Sequence, residues 1–252
     1  MYNCKIIAHR GANRIAPQNT LPAFEYALEM GIDGFETDVH TTKDGVPVIC
    51  HNYTIDETSD GKGKISELTL DELKSYDFGS YFSDKYKGTK IPTLEEFFTL
   101  CTSAGKELSI INIELKPIVH NEEGIVAMTI DMAKRYGLFD KLLISSFERK
   151  LLLEAKTIDE KCKTAYLYPT MQRIKNQFNL PTAEIIKAAG VDAVHPMHAF
   201  VNSKYVQKMH SMGIRVNPWT VNSGEKLIKM LEAGVDSIIT DMPDKANLYI
   251  KK

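Results

Sequence analysis

The chain has 252 residues, 43% hydrophobic and 25% charged, which is the balance of a globular protein rather than a disordered or membrane-spanning one. With 31 basic and 33 acidic residues the net charge is −2, so the basic footprint of a nucleic-acid-binding protein is excluded. The length suits a single α/β barrel, since these run to about 250 residues as one domain.

The four cysteines, Cys4, Cys50, Cys101 and Cys162, lie far apart in apolar runs with no CxxC or metal-knuckle spacing. They read as reduced core thiols of a cytoplasmic protein. The start, MYNCKIIAHRG, suits neither a signal peptide nor a membrane span, and no run reaches the roughly 18 apolar residues a span needs.

Short β-rich runs alternate with amphipathic stretches from end to end. In chain order the predicted strands are Lys5–His9, Phe35–Val39, Ser109–Glu114, Lys141–Ser145, Thr164–Leu167, Ala193–His195, Arg215–Asn217 and Ser237–Thr240. Helical patterns lie between them at Leu21–Met30, Leu94–Ala104, Glu122–Tyr136, Glu148–Ile158, Pro181–Ala189, Ser203–Met212 and Gly224–Glu232. Six are followed by glycine (31, 105, 137, 190, 213 and 234), as a left-handed helix cap requires. This order argues for parallel strands with helical crossovers and predicts a (β/α)8 TIM barrel. An open doubly wound sheet is disfavoured because RGANRIAPQNT, after the first strand, is no glycine-rich phosphate loop.

The rhythm breaks from about Asn52 to Pro92, which is polar and aromatic and too long for a structureless loop. It reads as a small insertion roofing the site, with one short helix at Thr69–Tyr76 opened by the capping-box pattern Thr69-Leu70-Asp71-Glu72.

The polar residues gather at predicted strand ends, where a barrel keeps its active site. His9 and Arg10 end the first strand. Glu36 and Asp38, two apart on the second, leave one face, and Glu114 and Lys116 repeat the spacing on the third. Asp44-Gly45 is a two-residue hairpin signal; with Lys43 opposite Val46, counting outward sets Asp38 opposite His51.

Three carboxylates buried together need a compensating cation. An all-oxygen set of Glu36, Asp38 and Glu114 suits one divalent cation, Mg²⁺ or Ca²⁺, better than zinc. Arg10 and Lys116 would face an anionic substrate such as a phosphate, leaving His9 and His51 for proton transfer. Each feature alone has a plainer reading: a hydrogen-bonded histidine, surface carboxylates, a Glu114–Lys116 salt bridge. Their convergence favours an active site. Trp219 reads equally as an apolar wall for a carbon skeleton or a barrel cap. His195 and Asp241 read as structural hydrogen-bonding groups, Asp241 with the option of orienting a neighbour, and His198 and Phe200 as rim residues. His40, His120 and His210 read as chemically idle.

The stretch HRGANRIAPQNTLPAFEYALEMGIDGFETDVHTTKDGVPVICHN, with NIELK, WTVN and GVDSIITDMP further on, resembles the glycerophosphodiester phosphodiesterases. The resemblance is strong over the first 52 residues, resumes near Pro92 and extends to about Pro243. It implies a TIM-barrel hydrolase that cleaves glycerophosphodiesters to glycerol 3-phosphate and an alcohol. It implies His9 and His51 as acid and base, Glu36, Asp38 and Glu114 as metal ligands, and Arg10 and Lys116 on the phosphate. Two positions depart from the family pattern, Gln18 for Glu and Asn52 for Asp, each read as removing a negative charge near a functional histidine. The alternatives are a phospholipase-type enzyme acting on lipids, for which the insertion's aromatics would supply a rim, and a non-catalytic phosphodiester sensor. The expected partner is a small-molecule substrate, with no nucleic acid and no stable membrane association; homo-oligomerisation is left open.

Overall fold

The structure is a computed structural model that describes residues 2–103, 105, 107–116, 124–167 and 183–250. Its strands are β1 (Lys5–His9), β2 (Gly34–Thr41), β3 (Pro47–Ile49), β4 (Ile110–Leu115), β5 (Leu142–Ser146), β6 (Lys163–Leu167), β7 (Ala193–His195), β8 (Arg215–Val216) and β9 (Ser237–Thr240). The helices are α1 (Leu21–Glu29), α2 (Leu70–Ser75), α3 (Leu94–Ser103), α4 (Ile125–Arg135), α5 (Arg149–Ile158), α6 (Ala183–Ala188), α7 (Ser203–His210), α8 (Gly224–Ala233) and α9 (Pro243–Ile250).

The sheet runs β8-β7-β6-β5-β4-β2-β1-β9, with every neighbour parallel, and β3 pairs antiparallel to β2. No regular ladder joins β8 to β9. Three backbone bonds cross there instead: Asp236 N donates to Val216 O (3.1 Å), Ile239 N to Pro218 O (3.0 Å) and Val221 N to Ile239 O (3.0 Å). Eight parallel strands thus form a nearly closed barrel ringed by helices, as the alternating pattern predicts. Among the described residues no helix is long and apolar enough to cross a membrane, and the four cysteines are buried and free.

Strand alternation splits the apolar side chains into two layers. Ile6, Ala8, Phe35, Val39, Ile111, Ile113 and Ile144 point outward into the main core. There Phe24 of α1 packs on Phe35 and on Phe97 of α3, with ring centroids 5.3 and 4.6 Å apart. Each buried ring contributes about 1.5–3 kcal/mol. The barrel interior holds a smaller cluster, Ile7, Ile110, Leu143, Ala165, Ala193 and Ile239. Gly34 is required in that interior, because a Cβ there would lie 2.3 Å from Ile110 O.

The six predicted glycine caps all take positive φ, between 61° and 81°. Helix α2 forms where the capping box predicts it, with both reciprocal Thr69–Glu72 bonds present. The stretch around the insertion builds its own apolar cluster from Val48, Cys50, Ile55, Ile65, Leu73, Phe78 and Ile91. It leans on the segment after β1 through Tyr86 Oη, which donates to Ile15 O at 2.7 Å. Helix α9, which follows Asp241, is not among the predicted elements. His120 lies outside the described residues, as do Pro181 and Thr182 at the start of the predicted Pro181–Ala189 helix.

The hairpin register differs from the predicted one. Val39 pairs with Ile49 and Thr41 with Pro47, which sets Asp38 opposite Cys50 rather than His51. The cause is the turn. Thr42 N bonds Val46 O (3.0 Å), so the loop holds three residues, 43–45, closed by Gly45 at φ +83°. His51 still reaches the site, because β3 ends at Ile49 and the chain bends there.

Candidate active site

Since Ile6 and Ala8 are turned outward, His9 at the end of β1 faces inward. In register, His9 pairs with Glu36, Glu36 with Asn112, and Asp38 with Glu114. One ring of the barrel's upper end is therefore polar. His9, Arg10, Glu36, His51, Glu114, Lys116 and Trp219 line a single cavity of about 360 Å³, walled further by Asn112, Phe147, Leu167, His195 and Ile239. Asp38 stands behind this wall, 1% exposed.

Carboxylate oxygens of Glu36, Asp38 and Glu114 lie within 4.8 Å of one another. Lys116 Nζ sits 2.6 Å from Asp38 Oδ1 and 2.5 Å from Glu114 Oε1, and Arg10 Nε 3.5 Å from Asp38 Oδ2. Three acids against two bases leave a negative charge over. Burial would raise the Asp38 carboxyl, but Lys116 and Arg10 outweigh it and hold it well below the usual range. Glu36 goes the other way: burial, then the charges of Asp38 and Glu114, push it well above its ordinary value. Burial also raises Glu114, against the pull of Lys116. Burial would lower Lys116, but the two carboxylates keep its ammonium above its ordinary value. Glu36 Oε2 is buried with no hydrogen-bond partner among the described residues. An unpartnered oxygen, a hard donor set and excess negative charge together fit one divalent cation.

The two histidines are held differently. His9 Nδ1 lies 2.5 Å from Asp241 Oδ1, so this carboxylate orients the ring and turns Nε2 toward Glu36, 3.7 Å away. Asn13 and Asn222 fix Asp241 in turn, at 2.6 and 2.5 Å. Burial lowers the His9 pKa and its bond to Asp241 opposes that. Burial works to raise Asp241, but His9, Asn13 and Asn222 leave it lowered to about 2. His51 Nδ1 lies 2.7 Å from Asn52 Oδ1, a neutral partner, and burial lowers its pKa to about 4.

Of the two departures, only Asn52 touches a histidine. Gln18 Oε1 accepts from Arg10 at 2.7 Å, so its neutrality leaves more of the Arg10 charge for the cavity and does not bear on an imidazole. Arg10 itself stands at φ +56°, a backbone conformation rare outside glycine and worth its strain where it re-aims a functional side chain.

Trp219 is a wall of the cavity, held by its Nε1 donating to His195 O (2.8 Å) and by edge contact with Phe147 at 6.1 Å. His195 is fully buried, its Nε2 accepting from the Asn217 amide (3.1 Å) and its pKa lowered to about 3 by burial. It stays neutral and floors the cavity. His198 turns toward Trp219 O (3.3 Å). His210 pairs with Asp236, away from the site.

Sequence reasoning missed four asparagines, among them Asn13, which donates to His9 O and to Asp241 Oδ1. Asn112 is 1% exposed with both amide atoms unpartnered among the described residues, and its signal was a polar residue flanked by isoleucines, two before Glu114. Asn19, at φ +58°, donates to Asp38 Oδ2 (3.0 Å). Asn222 holds Asp241; it closes the WTVN motif, from which no role for it was read.

A family model described as "Glycerophosphoryl diester phosphodiesterase family" matches residues 9–245. The chain is 35% identical over 249 residues to a glycerophosphodiester phosphodiesterase of Caldanaerobacter subterraneus subsp. tengcongensis, covering 98% of each chain. It is 33% identical over 244 residues to one of Bacillus altitudinis, covering 96% of each. Among solved structures it is similar to an Oleispira antarctica phosphodiesterase in complex with the product sn-glycerol-3-phosphate (TM-score 0.88, 31% identity, 98% of this chain and 97% of that one). A match over nearly the whole length, in sequence and in fold, means that the chain belongs to the glycerophosphoryl diester phosphodiesterase family.

Proposed function

We propose that the protein hydrolyses glycerophosphodiesters to glycerol 3-phosphate and an alcohol, by acid–base catalysis between His9 and His51 beside one divalent cation. The observation that carries this reading is the single cavity at the strands' C-terminal ends where two imidazoles, Lys116 and Arg10 meet a buried carboxylate cluster. The relatives named glycerophosphodiester phosphodiesterase support the substrate class.

Glu36, Asp38 and Glu114 would hold Mg²⁺ or Ca²⁺, which when bound supplies charge withdrawal from a phosphate oxygen and acidifies a nearby hydroxyl. Lys116 and Arg10 stabilise the charge that builds on phosphorus. His51, with a neutral partner and a lowered pKa, is suited to take the proton of the attacking hydroxyl. His9, whose ring the Asp241 carboxylate orients and whose imidazolium it would stabilise against the burial that lowers its pKa, is assigned to deliver a proton to the leaving alkoxide. An attacking glycerol 2-hydroxyl closes a cyclic phosphate, and water then opens it with the imidazoles in exchanged roles. Trp219 and Phe147 wall the carbon skeleton.

The direct test is glycerol 3-phosphate release from glycerophosphocholine in Mg²⁺ or Ca²⁺. Release supports the reading. Silence with choline, ethanolamine and glycerol headgroups in both metals sinks it in favour of a sensor, and faster cleavage of acylated substrates would favour a lipid-directed enzyme.

Two variants probe the histidine supports. Asp241→Asn removes the charge that fixes the His9 tautomer and is expected to lower kcat by roughly 10²-fold with little change in KM. An unchanged kcat would deny Asp241 this role. Asn52→Asp sets a carboxylate on His51 and raises its pKa. A base must be unprotonated to act, so the acid limb of the rate–pH profile moves upward, by about one pH unit. A stationary limb would show that His51 does not set it.

A further inference from the structure

The barrel has a second opening, at the N-terminal ends of its strands. A cavity of about 190 Å³ lies there, lined by Lys5, Lys141, Lys163, Arg215, Asn217 and Ser237. Register explains the grouping. Lys5 is two residues below Ile7 on the inward face of β1, Lys163 two below Ala165 on β6, and Arg215 pairs with the inward Ala193 of β7. Lys141 precedes β5. The alternation that lifts His9, Glu36 and Glu114 to the upper mouth therefore turns cations into the lower one.

The four cations, Lys5, Lys141, Lys163 and Arg215, outnumber the two carboxylates beside them. Asp192 and Asp236 also border the cavity, yet both are engaged. Asp192 Oδ2 accepts from Lys156 Nζ and Thr164 N, each at 2.8 Å, and Asp236 Oδ2 from Val216 N and His210 Nε2, each at 2.8 Å. Lys163 Nζ donates to the Asp140 carbonyl at 2.6 Å. Among the described residues, no ion pair is formed by Lys5, Lys141 or Arg215.

Lysines on an open surface would be solvated and mean nothing. Here a buried group adds to them: Ser237 is 1% exposed, borders the cavity, and its Oγ has no hydrogen-bond partner among the described residues. A buried hydroxyl left unmet costs about 1–3 kcal/mol. The volume equals that of about six waters at ~30 Å³ each, which is room for a five-atom oxyanion.

We propose that the lower mouth is a second anion site, separate from the catalytic cavity, taking a small dianionic oxyanion of the inorganic phosphate class. Lys5, Lys141, Lys163 and Arg215 supply the charge and Ser237 Oγ a hydrogen bond. Asn217, on the cavity wall, donates to His195, which floors the catalytic cavity, so the two openings share one hydrogen-bonded pair.

Lysine acetylation of the full-length protein, read residue by residue by mass spectrometry, tests this without reference to turnover. Inorganic phosphate is titrated at constant ionic strength, with exposed Lys229 as the control and Lys116 as a separate reporter of the catalytic cavity. Acetylation of Lys5, Lys141 and Lys163 is expected to slow with one shared midpoint. Arg215→Ala moves that midpoint to at least about tenfold higher phosphate, as loss of a charged hydrogen bond implies. Ser237→Ala moves it in the same direction and carries the test should the arginine variant misfold. Arg215→Ala leaves glycerophosphodiester turnover in phosphate-free buffer unchanged. Lysines indifferent to phosphate, or a midpoint unmoved by both substitutions, would overturn the proposal.

Discussion

Alanine at His9, or at His51, is expected to lower turnover of a glycerophosphodiester by at least about 10²-fold, with the affinity for Mg²⁺ or Ca²⁺ nearly unchanged. The reason is geometric. Both rings border the cavity, while neither belongs to the carboxylate cluster offered to the cation. Removing either imidazole deletes a proton-transfer group and leaves the oxygen ligands in place. Because one ring takes a proton as the other gives one, loss of the first makes the second of little use. The double variant should therefore fall only slightly below either single one, the non-additivity typical of groups acting as a unit. Metal titration calorimetry beside steady-state rates separates the two effects. Near-normal activity in both single variants would refute the pairing, and a collapse of metal affinity would make a histidine a ligand instead.

The second large effect concerns stability. Burial and the neighbouring charges of Asp38 and Glu114 raise the Glu36 carboxyl well above its ordinary value. A group whose folded pKa is raised stabilises the fold fully below its unfolded pKa and ceases to do so as pH rises through the folded one. Without metal, Glu36 thus weakens the fold as pH climbs from its ordinary value of about 4.5 toward its raised folded one. A divalent cation reverses this by favouring the ionised oxygens. Metal is expected to stabilise the protein by about 2.7 kcal/mol at a hundred times its Kd, with a gain that grows between pH 5 and 8 because the ligands must be deprotonated. Glu36→Gln is expected to abolish the gain without lowering the Tm of the metal-free protein, since a buried charge is replaced by a neutral amide. Thermal melts with and without Ca²⁺ across that range decide it. A gain that persists in the variant would remove Glu36 from the ligand set.

Much of this was legible in the sequence because the barrel's periodicities are local. Strands β1, β7 and β9 begin and end where their apolar runs do, and the six glycines mark helix ends by their backbone conformation alone. The i, i+2 spacing of Glu36 with Asp38 and of Glu114 with Lys116 places each pair on one face whatever the tertiary context. What failed was information that distant packing supplies. Register across the hairpin hangs on whether Gly45 closes a two- or a three-residue loop, and Asp44-Gly45 fits both. Asn19, Asn112 and Asn222 gain their roles from partners far along the chain or across the sheet: Asp38, the cavity, and the Asp241 that holds His9. Gln18 was placed near a histidine as a departure from the family pattern and stands on Arg10 instead, because the left-handed turn at Arg10 swings the chain back on itself.

The most direct measurement is a crystal structure of the protein grown with Ca²⁺ and glycerol 3-phosphate. The active-site geometry predicts one ion bound by oxygens of Glu36, Asp38 and Glu114, with the Nε2 atoms of His9 and His51 approaching the phosphate from opposite sides. An ion seated elsewhere, or a phosphate that neither imidazole can reach, would contradict it.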